Sequence, residues 1–185
     1  MVNRMDRRAV LGRKASRIEL LLTDCDGVLT DGNVYYSERG EEMKRFSIRD
    51  GMGVERLRGL AGVETGVLSG ENSGPLRKRL EKLHIAEAHL GVADKEAALR
   101  GILERRRLDP DQVAYIGDDV NDLAVLKRVG LSACPADAMP AVLRVADYVC
   151  RQDGGRGAFR EFAEVLIKGR TAARGAAVKS RSEET

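Results

Sequence analysis

One short apolar run, IELLLT at residues 18–23, ends abruptly in the polar sequence DCDG at residues 24–27. Apolar side chains at nearly every position indicate a strand that is buried on both faces, because a half-buried strand alternates apolar and polar residues. Strands of this kind occur in parallel sheets that helices cover on both sides. The run therefore predicts an α/β fold whose polar groups follow a buried strand.

Strand-like and helix-like segments alternate along the rest of the chain, which predicts a doubly wound, mostly parallel sheet. Two β-prone runs within residues 33–48 flank SERGE and instead predict a β-hairpin. We expect the polar side chains that follow the parallel strands to meet at one edge of the sheet. The further predicted strands are 63–69, 112–117, 131–133 and 148–150, and the predicted helices are 51–60, 75–83, 95–107, 120–129 and 156–167.

The two ends of the chain differ in charge from its body. Residues 1–17 and 170–185 contribute +5 and +2 to a total of +3, so residues 18–169 carry −4. We predict one domain at 18–169, a basic N-terminal tail at 1–17 and a disordered C-terminal tail at 170–185. A net positive charge confined to the ends does not indicate a nucleic-acid-binding face, and with 4% aromatic residues the chain has few stacking groups.

Cysteine usage and hydropathy predict a cellular location. Cys25, Cys134 and Cys150 show no CxxC spacing, which favours a reducing compartment and argues against a metal–thiolate cluster. No apolar run is long enough to cross a membrane, and the N-terminus lacks the apolar stretch of a signal peptide. We therefore expect a cytoplasmic protein with neither a membrane nor a nucleic acid as its partner.

Two acidic clusters directly follow predicted strands. Asp24 and Asp26 are two residues apart, so their side chains face the same way in an extended chain. Their mutual repulsion requires a cation or a proton nearby. The sequence GDDVND at 117–122 brings three more carboxylates to the end of another strand. Because Mg²⁺ prefers oxygen ligands and would also offset the charge of a phosphate monoester, the clusters predict a Mg²⁺ site that handles phosphate.

Distinct roles follow for the residues at this edge. Asp24 is the expected nucleophile, since a carboxylate can form an aspartyl-phosphate. Asp26 is the expected general acid that protonates the leaving oxygen and then the base that activates water. The hydroxyl of Ser69, after the next predicted strand, and the ammonium of Lys95, at the start of a helix, are expected to stabilise charge on the transferring phosphoryl group.

The combination of DCDGVLTDG at 24–32, Ser69, Lys95 and GDDVND at 117–122 resembles the motifs of the haloacid dehalogenase superfamily of phosphatases. The resemblance extends over about residues 18–168, and four motifs in the right order are a more specific signal than Asp-x-Asp alone. It implies a haloacid-dehalogenase-like, Rossmann-like sheet and a phosphatase activity.

The resemblance also implies a set of metal ligands. By analogy with the family, Asp24, the backbone carbonyl of Asp26 and Asp118 hold Mg²⁺. Asp119 and Asp122 are implied to support either that site or Lys95, and the sequence leaves open which of the two matters more.

The spacing of the motifs implies that the cap domain of many family members is absent. About twenty residues separate Asp31 from Gly51, enough for a hairpin, and about twenty-five separate Ser69 from Lys95. Aspartyl-phosphate chemistry benefits from a closed site, so a neighbouring subunit is the expected lid. The exposed edges of the hairpin offer a surface for such pairing.

This capless pattern is similar to the subgroup of 3-deoxy-manno-octulosonate 8-phosphate and sialic-acid-type nonulosonate 9-phosphate phosphatases. Members of that subgroup assemble as tetramers through such hairpins, so the resemblance implies a homotetramer. The sequence GGRG at 154–157 matches the Gly-rich turn of the subgroup, which implies that Arg156 reaches the site of a neighbouring chain.

The subgroup suggests a phosphorylated 2-keto-3-deoxy sugar acid as substrate, bound by Arg49, Gly70, Glu71, Arg79 and Lys82. Octulosonate phosphatases usually carry Arg at the position of Glu71, whereas the nine-carbon type carries Glu with Arg and Lys farther along the next helix. The residue pattern therefore favours a nine-carbon substrate, with the eight-carbon substrate as the alternative.

Two other interpretations remain open at this stage. The charge-rich segment RKRLEK at 77–82 also fits a solvated helix face. A non-catalytic phospho-acceptor receiver module is doubly wound too, with an acidic cluster, a hydroxyl and a Lys. A receiver places its acidic pair and its phosphorylated Asp on separate strands, so the spacing of Asp24 and Asp26 favours an enzyme.

Overall fold

The computed structural model describes residues 4–183 of the 185-residue chain and contains two sheets. The order of the six-stranded main sheet, by position along the chain, is fifth, fourth, first, sixth, seventh and eighth, and all its pairings are parallel. The second and third strands form a separate antiparallel hairpin. The strands are β1 (Leu20–Thr23), β2 (Val34–Ser37), β3 (Gly40–Lys44), β4 (Glu64–Ser69), β5 (Glu87–Leu90), β6 (Val113–Ile116), β7 (Leu131–Cys134) and β8 (Tyr148–Val149).

Seven α-helices in the described residues connect or cover these strands. A π-helical turn at Leu57–Ala61 forms the end of the helix predicted at 51–60, and a 3₁₀ turn at Val120–Asp122 forms the start of the helix predicted at 120–129. The α-helices are α1 (Arg4–Arg17), α2 (Ile48–Arg56), α3 (Gly74–Lys82), α4 (Lys95–Arg106), α5 (Leu123–Leu126), α6 (Pro140–Leu143) and α7 (Ala158–Glu183).

The central strand β1 is buried on both faces, as its apolar sequence predicts. Leu21 packs in a core with residues of α2, α3 and α7, whereas Leu20 and Leu22 pack in a second core with residues of α4 and α5. Successive side chains of a strand point to opposite faces, so one run of leucines supplies both layers. The predicted α/β fold with a parallel sheet between two helical layers is confirmed.

The β2–β3 hairpin stands apart from the main sheet and occupies the predicted position. Val34 pairs with Lys44, and a register shift lies between Tyr35 and Tyr36. Within residues 4–183, this hairpin is the only sheet inserted between β1 and α2, and no cap domain occurs there.

The two ends differ from the predicted tails. Residues 4–17 form α1 and α7 continues to Glu183, so both predicted tails contain helix, including the C-terminal end, whose sequence has no core-forming pattern. The physical reason is packing of the ends on each other and on the rest of the chain. Ala15 is fully buried and Arg170 donates to the Ser16 carbonyl at 3.2 Å, while the Lys14 ammonium lies 2.8 Å from Asp147, just before β8. Residues 1–3 and 184–185 lie outside the described part, and the domain limits at 18 and 169 remain a prediction.

Two elements carry no clear sequence pattern. Strand β5 lies at the edge of the sheet and is only partly buried, so its sequence EAHL lacks the apolar run of a central strand. Its Glu87 is held instead by Arg105 and His89. The other element, α6, spans four residues. Among residues 4–183, no helix has the length and the apolar character needed to cross a lipid bilayer.

Candidate active site

The predicted polar residues meet at the point where the order of strands in the sheet reverses. Strand β1 lies between β4 and β6, and the later strands extend outward on each side. Asp24 follows β1, Ser69 ends β4, and Asp118 lies two residues after β6. A crevice at the carboxyl ends of the strands forms at such a reversal, which is the usual ligand site of open α/β sheets.

Gly27 allows the loop after β1 to lie against the loop after β6. Its φ angle is +88°, a region that favours glycine, and a Cβ atom there would overlap the carboxylate of Asp118. The loop is closed by the Cys25 carbonyl, which accepts from the backbone N–H of Leu29 at 2.8 Å and of Thr30 at 3.0 Å. The glycine of the DCDG sequence therefore brings the two acidic clusters together.

Three carboxylates converge at this point. Asp24, Asp118 and Asp122 each offer an oxygen within 4.8 Å of the others. Burial and then the charge of Asp122 raise the pKa of Asp24 to about 7, and burial and then the charge of Asp24 raise the pKa of Asp118 to about 8. The Oδ1 atom of Asp118 is buried and has no hydrogen-bond partner among the described residues. The cluster therefore has both unbalanced negative charge and a free ligand atom.

Lys95 lies between two of these carboxylates. Its Nζ is 2.8 Å from Asp24 Oδ2 and 2.7 Å from Asp122 Oδ1, and the residue is buried. Burial lowers the pKa of Lys95, but the charges of Asp24 and Asp122 outweigh it and raise the pKa overall. The Asp94 side chain caps the start of α4 and accepts from the Ala97 N–H at 2.9 Å. This cap fixes the first turn of the helix, and with it the position of Lys95, the first residue of α4.

Asp122 and Asp119 have different environments. The fully buried Asp122 accepts from the Tyr115 hydroxyl at 2.5 Å, from the Asp118 N–H at 3.0 Å and from Lys95. Burial and then the charge of Asp122 raise the pKa of Tyr115 well above its ordinary value. Asp119 is exposed and accepts from the Val120 N–H at 2.6 Å. Asp122 therefore holds Lys95 and the Asp118 loop, whereas Asp119 faces the opening.

A cavity of about 310 Å³ opens above the carboxylates. The buried Ser69 lies at its wall, and its Oγ accepts from the Glu71 N–H at 3.1 Å. Glu71 itself is exposed at the rim. The lining residues are Asp24, Asp26, Gly32, Ser69, Gly70, Glu71, Asp118, Asp119 and Asn121.

The hairpin supplies a contact to this cavity that the sequence does not reveal. Lys44, at the end of β3, donates to Asp26 Oδ1 at 2.7 Å and to Asp26 Oδ2 at 2.6 Å. The Lys44 side chain is fully buried and that of Asp26 is 25% exposed. Burial lowers the pKa of Lys44, but its hydrogen bond to Asp26 and the charge of Asp26 raise it overall.

Comparison with known proteins identifies the family. Residues 84–159 match the haloacid dehalogenase-like hydrolase family. The chain is 41% identical over 154 residues to the 3-deoxy-D-manno-octulosonate 8-phosphate phosphatase of Escherichia coli K12, which covers 83% of this chain and 81% of that protein. The chain belongs to the haloacid dehalogenase-like hydrolases.

Solved structures of relatives agree with this assignment. The cobalt-bound deoxy-D-mannose-octulosonate 8-phosphate phosphatase of Haemophilus influenzae is 39% identical, with a TM-score of 0.82 over 85% of this chain and 92% of that one. The 3-deoxy-D-manno-octulosonate 8-phosphate phosphatase of Moraxella catarrhalis, solved with magnesium, phosphate and the octulosonate, is 30% identical, with a TM-score of 0.84 over 91% and 97%. This hydrolase is a phosphoric monoester hydrolase, as the sequence predicts.

The acidic cluster of the hydrolase fits a divalent cation. The three converging carboxylates and the Lys95 ammonium carry a formal charge of −2 when all are ionised, which one divalent ion offsets. The unpartnered Oδ1 of Asp118 provides a buried oxygen, the ligand type that Mg²⁺ prefers. The prediction of a divalent metal cofactor agrees with this geometry.

Four predicted substrate-binding residues of the hydrolase do not line the cavity within one chain. Arg79 donates to the Ser47 carbonyl at 2.8 Å, and Lys82 is exposed on α3. Arg49 and Arg156 are both exposed and line a second cavity of about 400 Å³. Contacts of these four residues with a substrate stay a prediction, and in one chain only Gly70 and Glu71 of the predicted set reach the cavity.

Asp50, in the RDG sequence, has a structural role in the hydrolase. It is buried, and it accepts from the backbone N–H of Arg160 at 2.9 Å and of Gly157 at 3.1 Å. These groups belong to the start of α7 and the Gly-rich turn before it. Asp50 therefore attaches the turn to α2, which places Arg156 next to Arg49 around the same cavity.

Sequence reasoning did not find Lys44 or Tyr115 as contacts of the site. Lys44 follows an ordinary strand pattern, and nothing local indicates that its ammonium reaches Asp26, eighteen positions earlier in the chain. Tyr115 reads as one more apolar position of the buried strand β6. A spacing of seven residues between Tyr115 and Asp122 has no regular periodicity across a strand and a turn, so only the folded chain shows the contact.

Proposed function

We propose that this phosphatase hydrolyses the phosphate ester of a 2-keto-3-deoxy sugar acid, with 3-deoxy-D-manno-octulosonate 8-phosphate as the substrate. The names of the relatives from Escherichia coli and Haemophilus influenzae favour this eight-carbon substrate over the nine-carbon one that the residue pattern favours. The octulosonate and phosphate present in the Moraxella catarrhalis structure support the same choice. The preference for a nonulosonate 9-phosphate is therefore not supported as the main substrate.

In the proposed mechanism, the Asp24 carboxylate attacks the phosphorus and forms an aspartyl-phosphate. As the bond from phosphorus to the sugar oxygen breaks, Asp26 gives its proton to that oxygen. Asp26 then takes a proton from water while the water oxygen bonds to phosphorus, and the bond to Asp24 breaks to release inorganic phosphate. Both carboxylates line the same cavity, as this sequence of steps requires.

Two other groups are proposed to bind the phosphoryl oxygens. Ser69, at the cavity wall, can donate its hydroxyl proton, and Lys95 is anchored by Asp122 beside Asp24. Fixed donors of this kind stabilise the transition state without reorganisation. We propose that Asp24, the Asp26 carbonyl and Asp118 hold Mg²⁺, with Asp122 supporting Lys95 and Asp119 facing the entrance. When bound, Mg²⁺ would offset the negative charge shared by the phosphate and these carboxylates.

The single observation that carries the proposal is the convergence of Asp24, Asp118, Asp122 and Lys95 at the carboxyl end of the central strand. We predict that Asp24→Asn abolishes hydrolysis, with a loss of kcat of at least about 10⁴-fold, because an amide is a poor nucleophile. Phosphate release from the octulosonate ester at saturating Mg²⁺ measures the loss, and circular dichroism checks the fold. Appreciable Mg²⁺-dependent activity in folded Asp24→Asn would contradict the assignment.

A nine-carbon sugar acid is the second candidate, because Glu71 stands at the rim of the cavity where the eight-carbon enzymes usually carry Arg. Comparison of kcat/KM for the two phosphate esters decides between them. A higher kcat/KM for the eight-carbon ester supports the main proposal. A kcat/KM at least about tenfold higher for a nonulosonate 9-phosphate, reversed by Glu71→Arg, supports the second candidate; a ratio of this order is expected from one lost polar contact.

We also propose that the enzyme is a cytoplasmic homotetramer. The three cysteines are free and buried, which fits a reducing compartment. The hairpin and the start of α2 expose apolar side chains, with Tyr36 70% and Ile48 84% exposed. A second chain seated on this surface would cover it and close the cavity of its neighbour. A receiver module is not supported, because the chain belongs to a hydrolase family and its two acids share one strand end.

A further inference from the structure

The Lys44 ammonium makes an ion pair with the residue assigned to proton transfer. Both oxygens of Asp26 accept from Lys44 Nζ, at 2.7 and 2.6 Å. The Lys44 side chain is fully buried and that of Asp26 is 25% exposed, so water competes little for the Lys44 donors, and a pair with one buried partner is screened less than a fully exposed one. The contact links the last residue of β3 to the catalytic loop.

A second carboxylate holds Lys44 from within the hairpin. Glu41 Oε2 lies 3.6 Å from Lys44 Nζ, and Glu41 Oε1 is buried without a hydrogen-bond partner among the described residues. An ammonium has three N–H donors, so Lys44 can serve both acids at once. Lys44 therefore lies between Glu41 and Asp26 with little freedom to move.

We propose that Lys44 is a positioning residue of the phosphatase: it holds the Asp26 carboxyl in the orientation that proton transfer requires. The proposal rests on the proposed function, in which Asp26 protonates the sugar oxygen and later takes a proton from water. When one Asp26 oxygen holds the proton, the other still accepts from the Lys44 ammonium, so the contact orients the acid as well as the carboxylate. Asp26 also accepts from the Thr30 hydroxyl at 3.3 Å and from Cys25 Sγ at 3.9 Å, but these contacts are longer and reach Oδ1 alone. Its side chain is 25% exposed and has rotatable bonds, so without Lys44 the Oδ2 end can turn toward solvent. Misplacement of a reacting group by about 1 Å can cost about 100-fold in rate.

The same contact makes the reaction depend on how the hairpin is seated. A neighbouring ion pair, Arg45 with Asp31, also attaches β3 to the loop after β1, at 2.5 Å. The Arg45 side chain is 52% exposed and does not contact Asp26. Arg45→Met is therefore a matched control, because it removes a hairpin-to-loop ion pair without touching the proton-transfer group.

The test compares two esters that differ in their need for an acid. A sugar alkoxide is a poor leaving group and requires protonation, whereas p-nitrophenolate leaves without it. We expect Lys44→Met to lower kcat/KM for octulosonate 8-phosphate by about 10- to 100-fold and kcat/KM for p-nitrophenyl phosphate by less than about threefold. The apparent activation constant of Lys44→Met for Mg²⁺ should stay within about twofold of the wild-type value. In the control Arg45→Met, kcat/KM for both esters should also stay within about twofold of wild type.

A double-mutant cycle with Asp26→Asn checks that Lys44 acts through Asp26. In the Asp26→Asn background, Lys44→Met should cause no further loss on the sugar ester. An additive loss, an equal loss on both esters, or unchanged kinetics would each overturn the role of Lys44. Wild-type enzyme that hydrolyses neither ester would contradict the proposed function instead, so the two failures are distinguishable.

A second variant separates loss of the Lys44–Asp26 contact from a general loss of stability. Lys44→Met leaves the buried Glu41 carboxylate without its cation, and an unpaired buried charge destabilises a fold. Glu41→Gln/Lys44→Met removes both charges together and is expected to melt closer to wild type. The same selective loss on the sugar ester in this double variant supports the proposal, and wild-type kcat/KM on the sugar ester in it contradicts the proposal.

Discussion

At the scale of single residues, burial and repulsion act on the same few carboxylates. Asp24 is buried and Asp118 is half-buried, both lie close to Asp122, and Lys95 compensates only part of their charge. Their raised pKa values, about 7 and about 8, express that imbalance. A bound cation relieves it, which is why the site is poised to bind one.

This imbalance predicts how Mg²⁺ binding depends on pH. Below their raised pKa values of about 7 and about 8, Asp24 and Asp118 hold protons that the cation must displace, and above them the ligands are ionised. We expect the apparent Mg²⁺ affinity to rise at least about tenfold between about pH 6 and about pH 8. Isothermal titration calorimetry measures it. Asp118→Asn should bind more weakly with a shallower pH dependence, and a pH-independent wild-type affinity would contradict the argument.

Gly27 allows a second prediction at this scale. Alanine at this position combines a φ of +88° with a Cβ that overlaps the Asp118 carboxylate. We expect Gly27→Ala to lower kcat by about 100-fold, because the loop must move away from Asp118, a proposed metal ligand. The control is Gly101→Ala in α4, where a Cβ meets nothing within 4 Å and should stabilise the protein by about 0.5–1 kcal/mol. Steady-state kinetics and urea unfolding test both, and wild-type kcat in Gly27→Ala would refute this role.

At the scale of elements, the first and last helices pack together as an extra part of one helical layer. Gly169 of α7 lies so close to α1 that a Cβ atom would be 2.5 Å from Ala15 Cβ. The carbonyl of Ala61, at the end of the π-helical turn, accepts from Arg174 at 3.0 Å. The basic character of both ends therefore belongs in part to helices that contact the domain.

The close approach of α1 and α7 predicts a stability difference between two glycines of one helix. We expect Gly169→Ala to destabilise the protein by about 1–3 kcal/mol through overpacking against Ala15. Gly175→Ala, with nothing within 4 Å of its Cβ, should instead be neutral or stabilising by up to about 1 kcal/mol. Urea denaturation measures both. Equal effects of the two substitutions would show that α1 does not pack on α7 in solution.

At the scale of the whole molecule, the hairpin connects the catalytic loop to an exposed apolar surface. One end of β3 holds Asp26 through Lys44, while Tyr35 and Met43 nearby are each 57% exposed. Exposed apolar strand surface of this kind marks an interaction site. Because the chain lacks a cap domain in its described residues, assembly through the hairpin is the arrangement that would both cover this surface and enclose the site.

Assembly through the hairpin predicts that one charged substitution separates the chains. We expect wild type to sediment with the mass of four chains and Tyr36→Glu to dissociate, because a buried unpaired carboxylate opposes association. Hydrolysis of the sugar ester should then fall at least about tenfold as the site loses its lid. Val10→Glu, at a 42% exposed position of α1, is the control. A fully active monomeric wild type would rule out this role of the hairpin.

The order of amino acids was enough to predict the parallel sheet and the meeting of Asp24, Ser69, Lys95 and Asp118. Those inferences depend on local properties, namely the period of apolar residues and the fact that parallel strands end at one edge. Packing decided the rest, because it joins segments that are distant in the chain. The Lys44–Asp26 pair, the Tyr115–Asp122 hydrogen bond and the docking of α1 on α7 each depend on such long-range packing, which has no local periodicity for a sequence to display.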